Sequence, residues 1–149
     1  MVGQQVHFTV PMAAVGWKRA RKNGNQFFVD AATKGAEAHI ATIARQAMRG
    51  LSPFLGPVKV SIVARYTPPA SWANWRREYA MEHQTPKATK PDFDNIAKLV
   101  GDACNGIVWA DDAQIAHCDV DKTYGRENIL CVWAYPMRET PRLRSEVRI

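Results

Sequence analysis

The chain has 149 residues, of which 46% are hydrophobic and 23% charged, with a formal charge of +6. That length buries a core without staples, and the composition sits at the globular average, so disorder is not the default reading. Cys104, Cys118 and Cys131 are odd in number and form no CxxC pair, which argues against a disulfide framework or a zinc site and for a reducing compartment.

Val6, Phe8 and Val10 alternate and predict an opening strand ended by Pro11. Residues 16–25 are polar and basic, and Gln26 to Val29 reads as a short return strand. Asp30 is a candidate N-cap for a helix with Ala36, Ile40, Ile43, Ala44 and Ala47 on one face, closed by Gly50. The clearest strand runs from Val58 to Tyr66 and is broken by Pro68-Pro69. Ser71 is a candidate cap for a short helix carrying Trp72, Trp75 and Tyr79; these two tryptophans are read as core in preference to wedging or stacking on nucleic-acid bases, and Trp109 and Trp133 as core too. A polar loop, residues 82–91, leads to a third helix from about Asn95, with Ile96, Leu99, Val100, Ala103 and Cys104 on one side. Asn105-Gly106 stops it. A strand follows whose apolar positions are Ala116, Cys118 and Val120, then a turn at Tyr124-Gly125-Arg126 and a last strand from Ile129 to Tyr135. These elements predict one compact α/β (α+β) domain, a mixed β-sheet packed by about three helices and closed by a terminal hairpin. Its expected span is residues 1–135, with residues 136–149 a basic tail. Neither a signal peptide nor a membrane-spanning apolar run is visible, which points to a cytoplasmic protein.

Acid crowding is the feature that carries chemistry. Lys90-Pro91-Asp92-Phe93-Asp94-Asn95 leads into the helix bearing Lys98, and Asp111-Asp112 follow that helix. Two ionised carboxylates ~4 Å apart repel by roughly 1 kcal/mol in water and about 4 kcal/mol at an effective dielectric of 20. An exposed ion pair with Lys98 returns only about a few tenths of a kcal/mol. If these acids converge, a hard divalent ion is the natural partner, and oxygen-only ligands favour magnesium or manganese. The bland readings are that Asp92 or Asp94 caps the helix, that Asp111-Asp112 are turn residues, and that Lys98 pairs with Asp94 or Asp102 at helical spacing.

Charge is uneven along the chain. Residues 1–50 hold seven Lys/Arg against two acids, while residues 101–149 hold six against eight. A basic body around an acidic cluster suits a metal-dependent enzyme acting on a polyanion.

The blocks KPDFDN with Lys98, then NGIVWADDAQ at residues 105–114, then Lys122-Thr123-Tyr124-Gly125 resemble the RusA family of Holliday-junction resolvases. More loosely, the likeness covers most of residues 5–135. The resemblance implies a magnesium-dependent (manganese possible) homodimeric endodeoxyribonuclease that cuts a four-way DNA junction symmetrically in recombination and repair. It also implies that Asp92, Asp94 and Asp112 are catalytic metal-binding carboxylates, Asp111 a fourth acid at the metal, and Lys98 the catalytic lysine. Asp112 ranks above Asp111 on the family pattern alone; spacing does not separate them. Lys18, Arg19, Arg21, Lys22, Lys90 and Lys122 are candidate DNA-backbone contacts, the first four equally readable as a solvated loop. Two departures stand out: Ala20 replaces a proline common in the family's basic stretch, and the arginine-containing tail has no counterpart. Two other functions fit the same residues: a metal nuclease of other branched DNA or of RNA, and a catalytically silent junction-binding protein. His83 and His117 read as bystanders.

Overall fold

The computed structural model describes residues 5–16, 21–23, 26–28 and 31–138. Lys18, Arg19, Asp30 and the tail beyond Arg138 therefore lie outside the described residues. The strands are β1 (Val6–Val10), β2 (Arg21–Asn23), β3 (Gln26–Phe28), β4 (Val58–Tyr66), β5 (Ile115–Tyr124) and β6 (Ile129–Pro136). The helices are α1 (Ala31–Met48), α2 (Asn74–His83) and α3 (Phe93–Ala103), with a 3-10 turn at Asp112–Gln114 ahead of β5.

Four strands form one mixed sheet in the order β1-β6-β4-β5, and β2 pairs with β3 as a separate small ribbon. One face of the sheet carries the core. Val6, Phe8 and Val10 alternate inward from β1, as do Val58, Val60, Ile62, Ala64 and Tyr66 from β4. Against them lie Ile40, Ala44 and Met48 of α1 and Ile96, Leu99, Val100 and Ala103 of α3, all buried. Both helices thus present the 3.6-residue stripe that the sequence predicts. α1 ends in left-handed backbone at Arg49 and Gly50, φ 50° and 78°. On the opposite sheet face Trp133 stacks on His7, ring centroids 4.7 Å apart.

Several expectations are corrected. The terminal hairpin does not form: β5 runs parallel to β4, β6 runs antiparallel to it, and β4 lies between them. The chain crosses the end of β4, where Gly125 N–H donates to the Tyr66 carbonyl (2.9 Å) and Asn128 Oδ1 accepts from Thr67 N–H (2.9 Å). A side chain at Gly125 would press on Arg65, since a Cβ there would lie 3.2 Å from Arg65 Cδ. Two successive alternating runs joined by a turn look the same whether they pair or flank a third strand. α2 begins at Asn74 behind Ala73, not at a Ser71 cap. Trp75 is 75% exposed rather than core, whereas Trp72, before the helix, packs edge-on against Tyr124. Trp109 is fully buried and Trp133 half-buried on the outer face. Ala116 and Cys118 are exposed, because β5 is an edge strand that the helices do not fully cover.

Candidate active site

α3 starts two residues earlier than the periodicity indicates. Asp92 is its N-cap residue in extended backbone, although its side chain makes no capping hydrogen bond. The Asp92 carboxylate instead accepts from Lys90 Nζ at 2.8 Å. Asp94 sits exposed in the first turn, where the helix dipole favours an acid. The capping reading of Asp92 thus holds for position but not for bonding.

The loop before the helix is fastened to β5. Lys87 N–H donates to the Lys122 carbonyl (2.8 Å) and Tyr124 N–H to the Thr85 carbonyl (2.9 Å). From below, Lys122 Nζ donates to the carbonyls of Thr89 (2.7 Å) and Pro91 (2.8 Å). The ammonium of Lys122 is therefore committed largely to bracing the segment that delivers Asp92, while that of Lys90 is on the surface, its side chain 83% exposed.

At the other end of α3 a second motif is locked in place. Trp109 is buried and its indole N–H is shared between the Gly101 carbonyl (3.3 Å) and Asn105 Oδ1 (3.1 Å). Gln114 holds the Asp111-Asp112 turn from two sides. Its Oε1 accepts from the N–H groups of Ala110 (2.9 Å) and Asp111 (3.0 Å), and its Nε2 donates to the carbonyls of Phe54 (2.8 Å) and Gly56 (2.9 Å). Asp111 completes a capping box by accepting from Ala113 N–H at 2.9 Å. Asp112 is pressed against α3 so closely that a Cβ on Gly101 would lie 3.4 Å from its Cβ and its Oδ2.

Lys98 ties α3 to the second motif. Its Nζ lies 3.1 Å from Asp102 Oδ1 and 3.5 Å from Asp112 Oδ2. The hydrogen bond to Asp102, above all, holds the Lys98 ammonium above the ordinary lysine range. The Ala113 N–H, followed by a hydrogen bond with Asp112, holds the Asp111 carboxyl below the usual aspartate range. Glu37 of α1 also belongs here: burial first, then the charge of Asp102, raises its carboxyl, while Lys98 lowers it.

The structure therefore brings Lys98, Asp111 and Asp112 together, with Asp102 and Glu37 beside them. Asp92 and Asp94 stand on the first turn of α3, about two turns away from Gly101, or roughly 12 Å along the axis. Among the described residues, no three His, Cys, Asp or Glu side chains are gathered closely enough to hold a metal ion. The donor chemistry of Asp92, Asp94, Asp111 and Asp112 nonetheless suits a hard divalent cation, since all the donors are oxygen. His83 tilts over Tyr79 and His117 faces Asp119 at 3.6 Å, so each has a partner apart from these acids. Thiol chemistry has no footing in the core, where burial pushes Cys104 up to about 12.

Sequence reasoning named Gln114 only as part of a motif and did not single out Glu37, Phe93 or Gly16. Phe93 is 66% exposed between the two acids, visible in the sequence only as an apolar residue at a position that should be polar. Arg21 and Lys22 lie on β2.

A 32%-identical relative over 128 residues is described as the uncharacterized protein YqaN of Bacillus subtilis (strain 168), the match covering 82% of this chain and 89% of the relative. The family model described as endodeoxyribonuclease RusA matches residues 10–132, a span that runs from β1 into β6 and takes in both acidic motifs and the lysine between them. This chain belongs to the RusA endodeoxyribonuclease family.

Proposed function

We propose that this protein is a magnesium-dependent, structure-selective endodeoxyribonuclease that resolves four-way DNA junctions by paired incisions, acting as a homodimer. The observation that carries the reading is Lys98 spanning from α3 to Asp112, which ties the helix to the Asp111-Asp112 turn. Asp92, Asp94 and Asp112, with Asp111, are the residues that would hold the ion. When bound, such an ion supplies a hydroxide nucleophile and polarises the scissile phosphate.

The chain's own residues do the rest. Lys98, its side chain 46% exposed, presents a fixed positive charge beside Asp112, where charge builds on a phosphate in the transition state. Lys90 stands at the mouth of the site for the DNA backbone, while Lys122 keeps Asp92 in place. Two-fold symmetry of a dimer matches two cuts placed symmetrically across a junction.

The test is cleavage of a labelled synthetic four-way junction against a linear duplex, with and without magnesium. Magnesium-dependent paired nicks in the junction alone are expected, and Asp112→Asn should abolish them while junction binding persists. Parallel loss of binding and cutting in a folded Asp112→Asn protein would refute the catalytic role. The competing reading is a junction-binding protein that does not cut. It predicts equal binding in EDTA and no nicks under any condition.

A further inference from the structure

A cleft of about 540 Å³ opens directly beside Asp92. It lies within the roughly 300–1,000 Å³ of ordinary small-molecule sites. Its walls include Ala13, Ala14 and Val15 after β1, Tyr66 at the end of β4, and Pro91 and Asn95 at the start of α3. Lys90 and Asp92 line it as well, so it is continuous with the proposed catalytic residues. The walls are built rather than incidental. Tyr66 Oη donates to the Ala14 carbonyl at 2.6 Å and fixes that segment against the sheet. A Cβ on Gly16 would come within 3.1 Å of Pro91 Cβ and 3.4 Å of Asn95 Cβ, so the segment after β1 sits tight on the start of α3.

We propose, on the basis of the nuclease reading above, that this cleft receives one unstacked nucleobase of the strand to be cut, next to the scissile phosphate. The chemistry of the walls fits such a guest. Apolar Ala13, Val15 and Pro91 offer faces to a flat ring, and the half-buried Asn95 offers an amide that both donates and accepts along a base edge. Lys90, 83% exposed, is placed for the phosphate attached to the same nucleotide. Extruding a base from intact duplex costs a few kcal/mol, and the cost is least where stacking and pairing are already interrupted. A cleft that must be filled before a phosphate reaches Asp92 therefore makes cutting depend on branched structure. The motif asparagine, Asn95, becomes a substrate-positioning residue.

The experiment uses the full chain and a four-way junction carrying 2-aminopurine, whose fluorescence rises on unstacking, at single positions flanking the crossover. Binding is followed in EDTA, so the readout is independent of cutting. A rise at one position is expected, reduced by Asn95→Ala and abolished by Ala13→Phe, which fills the cleft from its exposed rim. In magnesium, an abasic nucleotide at that position should slow cutting by wild type about tenfold and leave Ala13→Phe unaffected. Thermal unfolding checks that both variants are folded. A bound junction with no fluorescence rise, or an equal rise with Ala13→Phe, overturns the cleft. A normal rise without any nicking in magnesium overturns the nuclease reading and leaves the cleft standing.

Discussion

Lys98 is the residue whose value for folding and value for chemistry separate most widely. Its ion pairs with Asp102 and Asp112 are about half exposed on the lysine side, and such pairs are worth at most ~1 kcal/mol to stability. A positive charge aimed at a developing oxyanion is worth far more, on the order of 10²–10³ in rate for one donor. Lys98→Ala should therefore leave urea unfolding within about 1 kcal/mol of wild type and lower single-turnover junction cleavage by two orders of magnitude or more. Near-normal cleavage would reduce Lys98 to an ion-pair lysine. Asp111 gives a pH-dependent counterpart. Its carboxyl is held low by the Ala113 N–H first and by Asp112 next, so its folded form favours the ionised state. The stability it contributes is present above the ordinary aspartate range, about 4, and is lost as pH falls through the lowered folded value. Urea midpoints of wild type and Asp111→Ala should thus differ at pH 7 and converge in strong acid. A constant gap across that range would show that the cap, not the charge, does the work.

At the scale of elements, the site depends on a clamp that no single-residue chemistry announces. Gln114 makes four hydrogen bonds, two to the turn carrying Asp111 and two to the carbonyls of Phe54 and Gly56. Leucine in its place strands those groups, at a cost of about 2–4 kcal/mol given ~1 kcal/mol for each bond and more for a group left buried. Gln114→Leu should lower the urea midpoint by that much and slow cleavage through misplacement of Asp112, with junction affinity retained. The elements themselves were largely legible: the buried stripe of α3 and all nine residues of β4 follow from periodicity, because burial on one face imposes 3.6- and 2-residue spacing. The strand order was not. Pairing of β5 with β4 rather than β6 is decided by packing across the whole sheet, and nothing in an alternating run names its neighbour. Trp75 was misread for the related reason that an aromatic at helical spacing says nothing of whether a partner layer exists; α2 contributes only Ala80 to the buried set. Of the site, the acids and Lys98 were legible as types in order, while the split between the two ends of α3 needed the helix to be placed.

For the whole molecule the question is how a basic body is used around an acidic centre. With seven Lys/Arg against two acids in residues 1–50, and a total of +6, attraction to a nucleic-acid backbone is the expected long-range force. Each phosphate neutralised releases counterions and contributes about −0.9 to the slope of log K against log salt for duplex DNA. Not every lysine near the site belongs to that sum, and two of them make the distinction measurable. Lys90 is exposed and pairs with Asp92 at the surface, so on the proposed DNA-bound form its ammonium is available to a phosphate. Lys122 directs its ammonium inward at the carbonyls of Thr89 and Pro91, where it holds the loop. Lys90→Ala should therefore flatten the salt slope of junction binding by about one unit and weaken binding alike for all sequences. Lys122→Met should keep the wild-type slope, raise amide hydrogen exchange across residues 85–92, and cut more slowly at saturating junction. Titrations from low to moderate salt in EDTA, monitored by anisotropy, separate the two outcomes. If Lys122→Met loses the full unit of slope while its loop exchanges no faster, the ammonium faces DNA in the complex and the loop is held by β5 alone.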